Sequence, residues 1–251
     1  MDCIAQLRHQ IIVSVQADEG EPLSPPPVLK ALATSVVLGG AGGLRLAQPE
    51  VIAWAKQAWP SLPVIGLTKP PRVTPDDVGR VYITPDWPDW QRLAALPVDI
   101  IATDATQRPR PGGESLATLV RRFRDHYPER LLMADVATLE DACQAEALGF
   151  DVVGTTLAGY TQETRHVVSD SVQADTPDWQ LLGALCARLR VPVLLEGRVW
   201  APWHVAQAMA LGAWAVVIGS AITRPHLITR RFAQQLAPLK ATQSIHSQGS
   251  A

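Results

Sequence analysis

Residues 131–156 read LLMADVATLEDACQAEALGFDVVGTT, and the reading of this stretch decides the fold. It opens with a short apolar run, Leu131–Ala134, and closes with a second, Asp151–Gly154. Both are continuously apolar rather than alternating, as expected of parallel strands covered on both faces. Between them LEDACQAEAL has helical spacing. Thr138 stands before it where a helix cap is favoured, and Gly149 follows it where a left-handed C-cap is usual. Strand, helix and strand follow one another without a break, which is a βαβ unit.

The same unit recurs in both directions. Further strands are expected at Ile11–Val15, Gly43–Leu46, Pro63–Leu67, Val98–Ala102, Val193–Leu195 and Ala215–Ile218. Helical patterns lie around Val28–Leu38, Pro49–Trp59, Trp87–Leu96, Ser115–His126, Leu139–Leu148, Asp178–Arg188, Pro202–Leu211 and Pro225–Leu236. Before the sixth of these, Thr176-Pro177-Asp178 places a proline suited to a first helical turn. Eight strands alternating with eight helices over 251 residues predict an α/β fold. The expected form is a single (β/α)8 TIM barrel over residues 1–251, with its active site at the C-terminal ends of the strands. An open doubly wound sheet is the runner-up on pattern alone.

Two segments break the rhythm. Lys69–Thr84, with PPRVTPDD and then VYIT, reads as an insertion after the third strand with room for an extra short strand. Leu157–Thr176 is a polar loop of the length usual for a lid. Residues 240–251 are polar and are expected to form a flexible tail.

Composition narrows the function classes. Hydrophobic residues make up 47% and charged residues 18%, enough for a sizeable core. A net charge of −2 gives no footprint for nucleic acid or an anionic membrane. No apolar run is long enough to span a bilayer, and MDCIAQLRHQ lacks the basic start and apolar middle of a secretory signal. The expected location is cytoplasmic. Cys3, Cys143 and Cys186 are scattered and suggest neither a disulfide framework nor a metal site. The histidines share no ligand spacing with a carboxylate at a strand end, so no metal is expected.

In this fold each strand delivers its C-terminal residues to one mouth. Those residues are Ser14-Val15-Gln16, Arg45, Thr68-Lys69, Asp104, Asp135, Gly154-Thr155-Thr156, Glu196-Gly197-Arg198 and Gly219-Ser220, with Arg224 soon after. So many ionisable groups at one end fit a shared site better than chance exposure. Loops after strands seven and eight commonly bind phosphate. Here Gly197 and Gly219 allow close backbone approach, and Arg224 can clamp an anion with two N–H groups. The pattern predicts a small phosphorylated substrate.

The stretches IIVSVQADEGEPL, GGLRL, PVIGLTK, VYITP, DIIATDATQRPRP, LLMADVATLEDA, GFDVVGTTLAGYT, PVLLEGRVWAP and LGAWAVVIGSAITRPHLITRRF resemble, in order, the N-acetylmannosamine-6-phosphate 2-epimerases of sialic-acid catabolism. The resemblance implies interconversion of N-acetylmannosamine 6-phosphate and N-acetylglucosamine 6-phosphate, a phosphorylated amino sugar as small-molecule partner, no organic cofactor or metal, and a homodimer. It implies that Lys69 and Glu196 are the catalytic pair and that Gln16, Arg45, Asp135 and Arg224 hold substrate. Departures from the family pattern are TSVVLGGAGG, PPRVTPDD and tryptophans at 87, 90, 179, 200, 203 and 214. They flank the site rather than replace its motif residues, and the tryptophans read as outer packing or a subunit interface.

The chemistry agrees with that implication. Inverting a carbon beside a carbonyl needs one group to take its proton from one face and another to return one to the opposite face. Lys69 and Glu196 stand on strands three and seven, opposite each other in an eight-stranded barrel. Burial and Arg45 would lower the lysine pKa, and burial would raise that of the glutamate. Asp104 and Arg108 read as a structural ion pair. Thr155 and Thr156 read either as substrate ligands or as caps of the following turn, and Tyr160 either as a cover for the sugar or as an exposed loop residue. Two alternatives share these features: a Schiff-base aldolase or lyase, and a non-catalytic sugar-phosphate-binding barrel.

Overall fold

The apolar runs expected as strands pair side by side into a closed barrel of parallel strands. These are β1 (Ile11–Val15), β2 (Gly43–Leu46), β3 (Val64–Gly66), β4 (Ile100–Asp104), β5 (Leu131–Asp135), β6 (Val152–Gly154), β7 (Val193–Glu196) and β8 (Ala215–Ile218). β1 seals the barrel against β8, with Ile12 opposite Val217. The computed structural model describes residues 2–69, 79–165 and 176–248, with side chains as far as Leu236.

Helices follow the strands: α1 (Cys3–Gln6), α2 (Pro26–Leu38), α3 (Pro49–Ala58), α4 (Trp87–Ala94), α5 (Leu116–His126), α6 (Leu139–Ala147), α7 (Trp179–Arg188), α8 (Pro202–Ala210), α9 (Ser220–Thr223) and α10 (Pro225–Gln248). Local chemistry starts and stops them. Thr138 and Asp141 cap the start of α6 reciprocally, and Asp178 caps α7 by accepting from the Leu181 N–H. Pro177 therefore lies just outside α7 rather than in its first turn. Gly149 ends α6 with φ of 87°, a conformation costly for other residues.

Side-chain alternation along the strands makes two cores. Val13, Val15, Leu44, Leu46, Val153, Val193, Leu195 and Val216 face the helices. Ile12, Ile65, Ile100, Met133, Val152, Leu194 and Val217 fill the barrel interior. Leu7, just after α1, plugs the N-terminal end of that interior, and Trp214 Nε1 donates to the Ile4 carbonyl at 2.8 Å. Helix α1 is too short to show periodicity in the sequence.

Several expectations shift. β4 begins two residues later than the apolar run, because Asp99 serves a corner instead, accepting from Lys56 Nζ and the Val64 N–H at 2.8 Å each. VYIT forms no strand. It lies between the ends of β3 and β4, with Thr84 N–H donating to the Thr68 carbonyl and Asp104 N–H to the Ile83 carbonyl, both at 2.9 Å. Thr84 at φ 44° turns the backbone out of extension there. The PPRVTPDD segment (70–77) and residues 166–175 of the expected lid lie outside the described residues. Where a flexible tail is expected, the backbone continues α10 to Gln248; Ala, Gln and Leu in AQQLAPLKATQ are good helix formers, and Gly249 is the next strong breaker after Pro238. No helix among the described residues is long and apolar enough to cross a membrane.

Gly66, at the end of β3, sets up the approach to Lys69. A Cβ there would stand 2.6 Å from Val98 Cγ2 and 3.3 Å from Ile52 Cδ1. Val98 is stiff and buried, so neither neighbour can yield easily. Gly66→Ala is expected to destabilise the protein by about 1–3 kcal/mol, read as a lower urea midpoint.

Candidate active site

The C-terminal strand ends converge on a cavity of about 590 Å³. Lys69, from the segment after β3, and Glu196, the last residue of β7, both line it. Gln16, Gly197, Arg198, Gly219, Ser220 and Arg224 line it as well. Arg45, Asp135 and Thr155, also expected in the site, do not.

Arg45 and Asp135 lie beneath it as its floor. The Arg45 side chain is 1% exposed and runs inside the barrel. Its Nη1 donates to Asp135 Oδ1 at 3.0 Å and its Nη2 to Oδ2 at 2.7 Å. This two-pronged pair is the arrangement a guanidinium favours with a carboxylate. Nη1 also stands 3.2 Å from Glu196 Oε2. The Thr156 hydroxyl lies 2.5 Å from Asp135 Oδ1 and 3.1 Å from Glu196 Oε2. Arg45, Asp135, Thr156 and Glu196 thus form one network at the end of the barrel core.

That network sets the state of Glu196. Burial pushes its carboxyl above the ordinary glutamate range, the Arg45 charge works against this, and the Asp135 charge adds to it. Lys69 moves the other way, with its ammonium pKa pushed down to about 8. Burial is the largest cause; Asp18 opposes it, Arg45 helps it, Glu196 opposes it and Arg224 helps it. At pH 7 about one Lys69 side chain in ten is then the neutral amine, against fewer than one in a thousand for an ordinary lysine.

The other end of the cavity is built from the loops after β7 and β8. Gly197 and Arg198 both have positive φ, 106° and 55°. The turn brings the Arg198 guanidinium back to the 157–176 loop, where Nε donates to the Thr176 carbonyl and Nη1 to the Ala158 carbonyl, both at 2.7 Å. Arg198 therefore lines the site but is held as a strut between the ends of that loop. Gly219 precedes α9, and Thr223 Oγ1 ties this turn to β1 by donating to the Ser14 carbonyl at 2.9 Å. Arg224 Nη1 meets Glu21 Oε1 at 2.7 Å. Gln16 Nε2 donates to Ser14 Oγ at 2.8 Å, and its buried Oε1 has no partner among the described residues.

Thr155 is held within the strand ends instead. Its hydroxyl accepts from the Glu196 N–H at 3.0 Å and donates to the Glu196 carbonyl at 2.9 Å, which splices β6 to β7. Thr156 lines the cavity instead. Strand alternation carries this signal: Val152 and Gly154 face inward, Thr155 outward and Thr156 inward. Sequence reading also passed over Asp18, Tyr82, Arg165 and Trp200 as lining residues. No local pattern marks them.

Asp104 is fully buried and pairs with Arg108 Nη2 at 2.5 Å while accepting from the Thr106 N–H and hydroxyl. Arg110 clamps the same loop by donating to the Asp104 and Pro85 carbonyls. Tyr160 lines the cavity yet is 51% exposed, which places it at the rim. Trp87 and Trp90 are buried against the outer core, whereas Trp200 lines the cavity with Arg231 stacked 4.2 Å from its ring. No group of three or more metal-ligating side chains comes together among the described residues.

Comparison with known proteins meets this geometry from the other side. A family model described as "Putative N-acetylmannosamine-6-phosphate epimerase" matches residues 29–238. A relative from Caldanaerobacter subterraneus subsp. tengcongensis is 40% identical over 233 residues, covering 92% of this chain and 93% of its own. One from Thermosynechococcus vestitus is 41% identical over 245 residues, covering 98% of this chain and 100% of its own. Both are named for the 2-epimerase activity. The solved N-acetylmannosamine-6-phosphate 2-epimerase of Clostridium perfringens superposes with a TM-score of 0.81 at 37% identity, covering 93% of this chain and 96% of its own. A thiamine phosphate pyrophosphorylase from Pyrococcus furiosus, 12% identical with a TM-score of 0.54, shares the fold alone. With a family match across most of the barrel and relatives aligned along nearly their whole length, the chain belongs to the N-acetylmannosamine-6-phosphate 2-epimerase family.

Proposed function

We propose that the chain interconverts N-acetylmannosamine 6-phosphate and N-acetylglucosamine 6-phosphate, with Lys69 and Glu196 moving the proton at C2. The observation that carries this reading is the opposed tuning of two groups on one cavity: an amine brought down to about 8 and a carboxyl pushed up. Acid and base for neutral-pH chemistry are assigned by such pairs.

In the open-chain sugar C2 lies beside the C1 aldehyde. The neutral Lys69 amine takes the C2 proton; the electron pair of that bond becomes a C1–C2 double bond as the carbonyl pair moves onto O1. Collapse of the enolate returns the pair to C2, which takes a proton from Glu196 on the opposite face. The enzyme is left with protonated Lys69 and ionised Glu196, the pair needed for the reverse direction. A proton passed between them through water resets it. Arg45 and Asp135 hold Glu196 from below rather than touching the sugar.

Gly197, Gly219, Ser220 and Arg224 take the phosphate, and Glu21 keeps the Arg224 guanidinium in place until the anion arrives. Arg224→Ala is expected to raise KM about 10- to 100-fold with kcat little changed, as for loss of a charge-assisted hydrogen bond. An unchanged KM would put the phosphate elsewhere. The reading itself is tested by incubating the protein with N-acetylmannosamine 6-phosphate and following the anomeric protons by NMR. Approach to the same mixture from either sugar supports it, and no conversion refutes it. A neutral Lys69 amine could also trap a carbonyl as a Schiff base. Borohydride with substrate should leave no adduct on Lys69.

A further inference from the structure

Proton removal from C2 puts a negative charge on O1, and a positive charge fixed in advance at that atom lowers the barrier. Arg224 belongs to the phosphate end of the cavity, and Arg198 donates to two loop carbonyls. Arg45 lies under the floor with both Nη atoms on Asp135. Arg165 lines the cavity but is exposed. Arg108 lines the same cavity with its side chain only 13% exposed.

Topology points C1 toward it. With the phosphate on the loops after β7 and β8 and C2 between Lys69 and Glu196, the open-chain sugar runs away from β8, and C1 is the next atom beyond C2. β4 stands opposite β8 in the eight-stranded barrel, and Arg108 comes from the segment after β4. Its guanidinium is already fixed. Nη2 meets Asp104 Oδ2 at 2.5 Å, Nε donates to Thr106 Oγ1 at 2.9 Å, and that hydroxyl donates to Asp104 Oδ1 at 2.7 Å. Nor does Asp104 cancel the charge of this corner. Arg110 donates to the Asp104 carbonyl; burial, opposed by Asp104 and helped by Arg108, lowers it to about 10, so it is still a cation at pH 7. Glu114, the other carboxylate acting on Arg110, stands 3.8 Å from Arg122. Among the described residues, Asp104 is thus one carboxylate between two guanidiniums, and Arg108 is the one that reaches the cavity.

We infer that Arg108 is a further catalytic residue, the cation that holds the charge developing on O1; this rests on the epimerase reading. As the C2–H electron pair becomes the C1–C2 double bond, the carbonyl pair moves onto O1 beside the guanidinium N–H groups. When the enolate collapses, that pair re-forms the carbonyl and C2 takes its proton. Arg108 stays protonated throughout, because a guanidinium holds its proton far above neutral pH. Asp104, Thr106 and Arg110 act only through Arg108, by keeping it in place.

The test uses wild type and Arg108→Gln with two analogues that differ only at C1. One is N-acetylmannosamine 6-phosphate reduced to the C1 alcohol, and the other is the same sugar oxidised to the C1 carboxylate. Calorimetric titration at pH 7 should show wild type binding the carboxylate about tenfold or more tighter than the alcohol. In Arg108→Gln that preference should shrink about tenfold while the alcohol binds as before, and kcat should fall about 100-fold or more with KM within about threefold. If the glutamine variant does not fold, Arg108→Gln with Asp104→Asn removes both charges of the buried pair and gives the same comparison. A preference that shrinks by less than about threefold, equal weakening of both analogues, or an unchanged kcat overturns the inference while the epimerase reading stands. Wild type that exchanges no C2 proton with solvent overturns the epimerase reading and the inference with it.

Discussion

Lys69→Met should lose epimerase activity by about a thousandfold or more while the folded protein becomes more stable at pH 7. The activity loss follows because, among the described residues, no other group lining the cavity offers a neutral amine to take the C2 proton. The stability gain follows from the sign of the pKa shift. Lys69 titrates near 8 when folded and near 10.5 otherwise, so at pH 7 the folded state holds an ammonium it disfavours. Replacing it by an apolar chain of similar length removes that cost and keeps the packing. For wild type the same sign means that stability from this group rises with pH from about 8 to 10.5. The variant should lack that rise. Kinetics and urea midpoints at pH 7 and 9.5 measure both halves. A variant with near-wild-type kcat would remove Lys69 from the chemistry.

Arg45→Met should be the most destabilising single change at the site, by about 3–5 kcal/mol. It leaves Asp135 charged, fully buried and without the two N–H groups that hold it. Glu196 loses its opposing charge as well, so its carboxyl should be pushed up further. Activity should fall too, because the base form of Glu196 is needed in one direction. A double variant, Arg45→Met with Asp135→Leu, should recover much of the stability and none of the activity, since burying neither charge is close to neutral whereas burying one alone is not. Equal urea midpoints for wild type and Arg45→Met would show that the pair is solvated.

The barrel was legible because each strand is buried on both faces and each helix on one, and both requirements write themselves locally into the chain. All eight strand runs and all eight helical patterns begin within two residues of the structural elements, and β1, β2 and β8 match end to end. The mouth was legible for a related reason: closure forces every strand's last residues to one side. What the sequence could not convey was which partner each polar group would find. Arg45 and Asp135 are 90 residues apart and meet only once the barrel closes. Arg198 reads as one of the ionisable groups of the shared mouth and becomes a loop strut because the turn at Gly197 and Arg198, both with positive φ, carries its guanidinium to the Thr176 and Ala158 carbonyls. Thr155 and Thr156 divide by strand alternation, but Val152 and Val153 before them are alike, so only the closed barrel shows which of the two faces inward.

The central claim, that the cavity takes and returns the proton at C2, is tested most directly by incubating the wild-type protein with N-acetylglucosamine 6-phosphate in D₂O and reading C2 by NMR. The account predicts deuterium at C2 in substrate and product, appearing at least as fast as the other epimer forms, and none with Lys69→Met. Interconversion without deuterium at C2, or no exchange by the wild type, would contradict it.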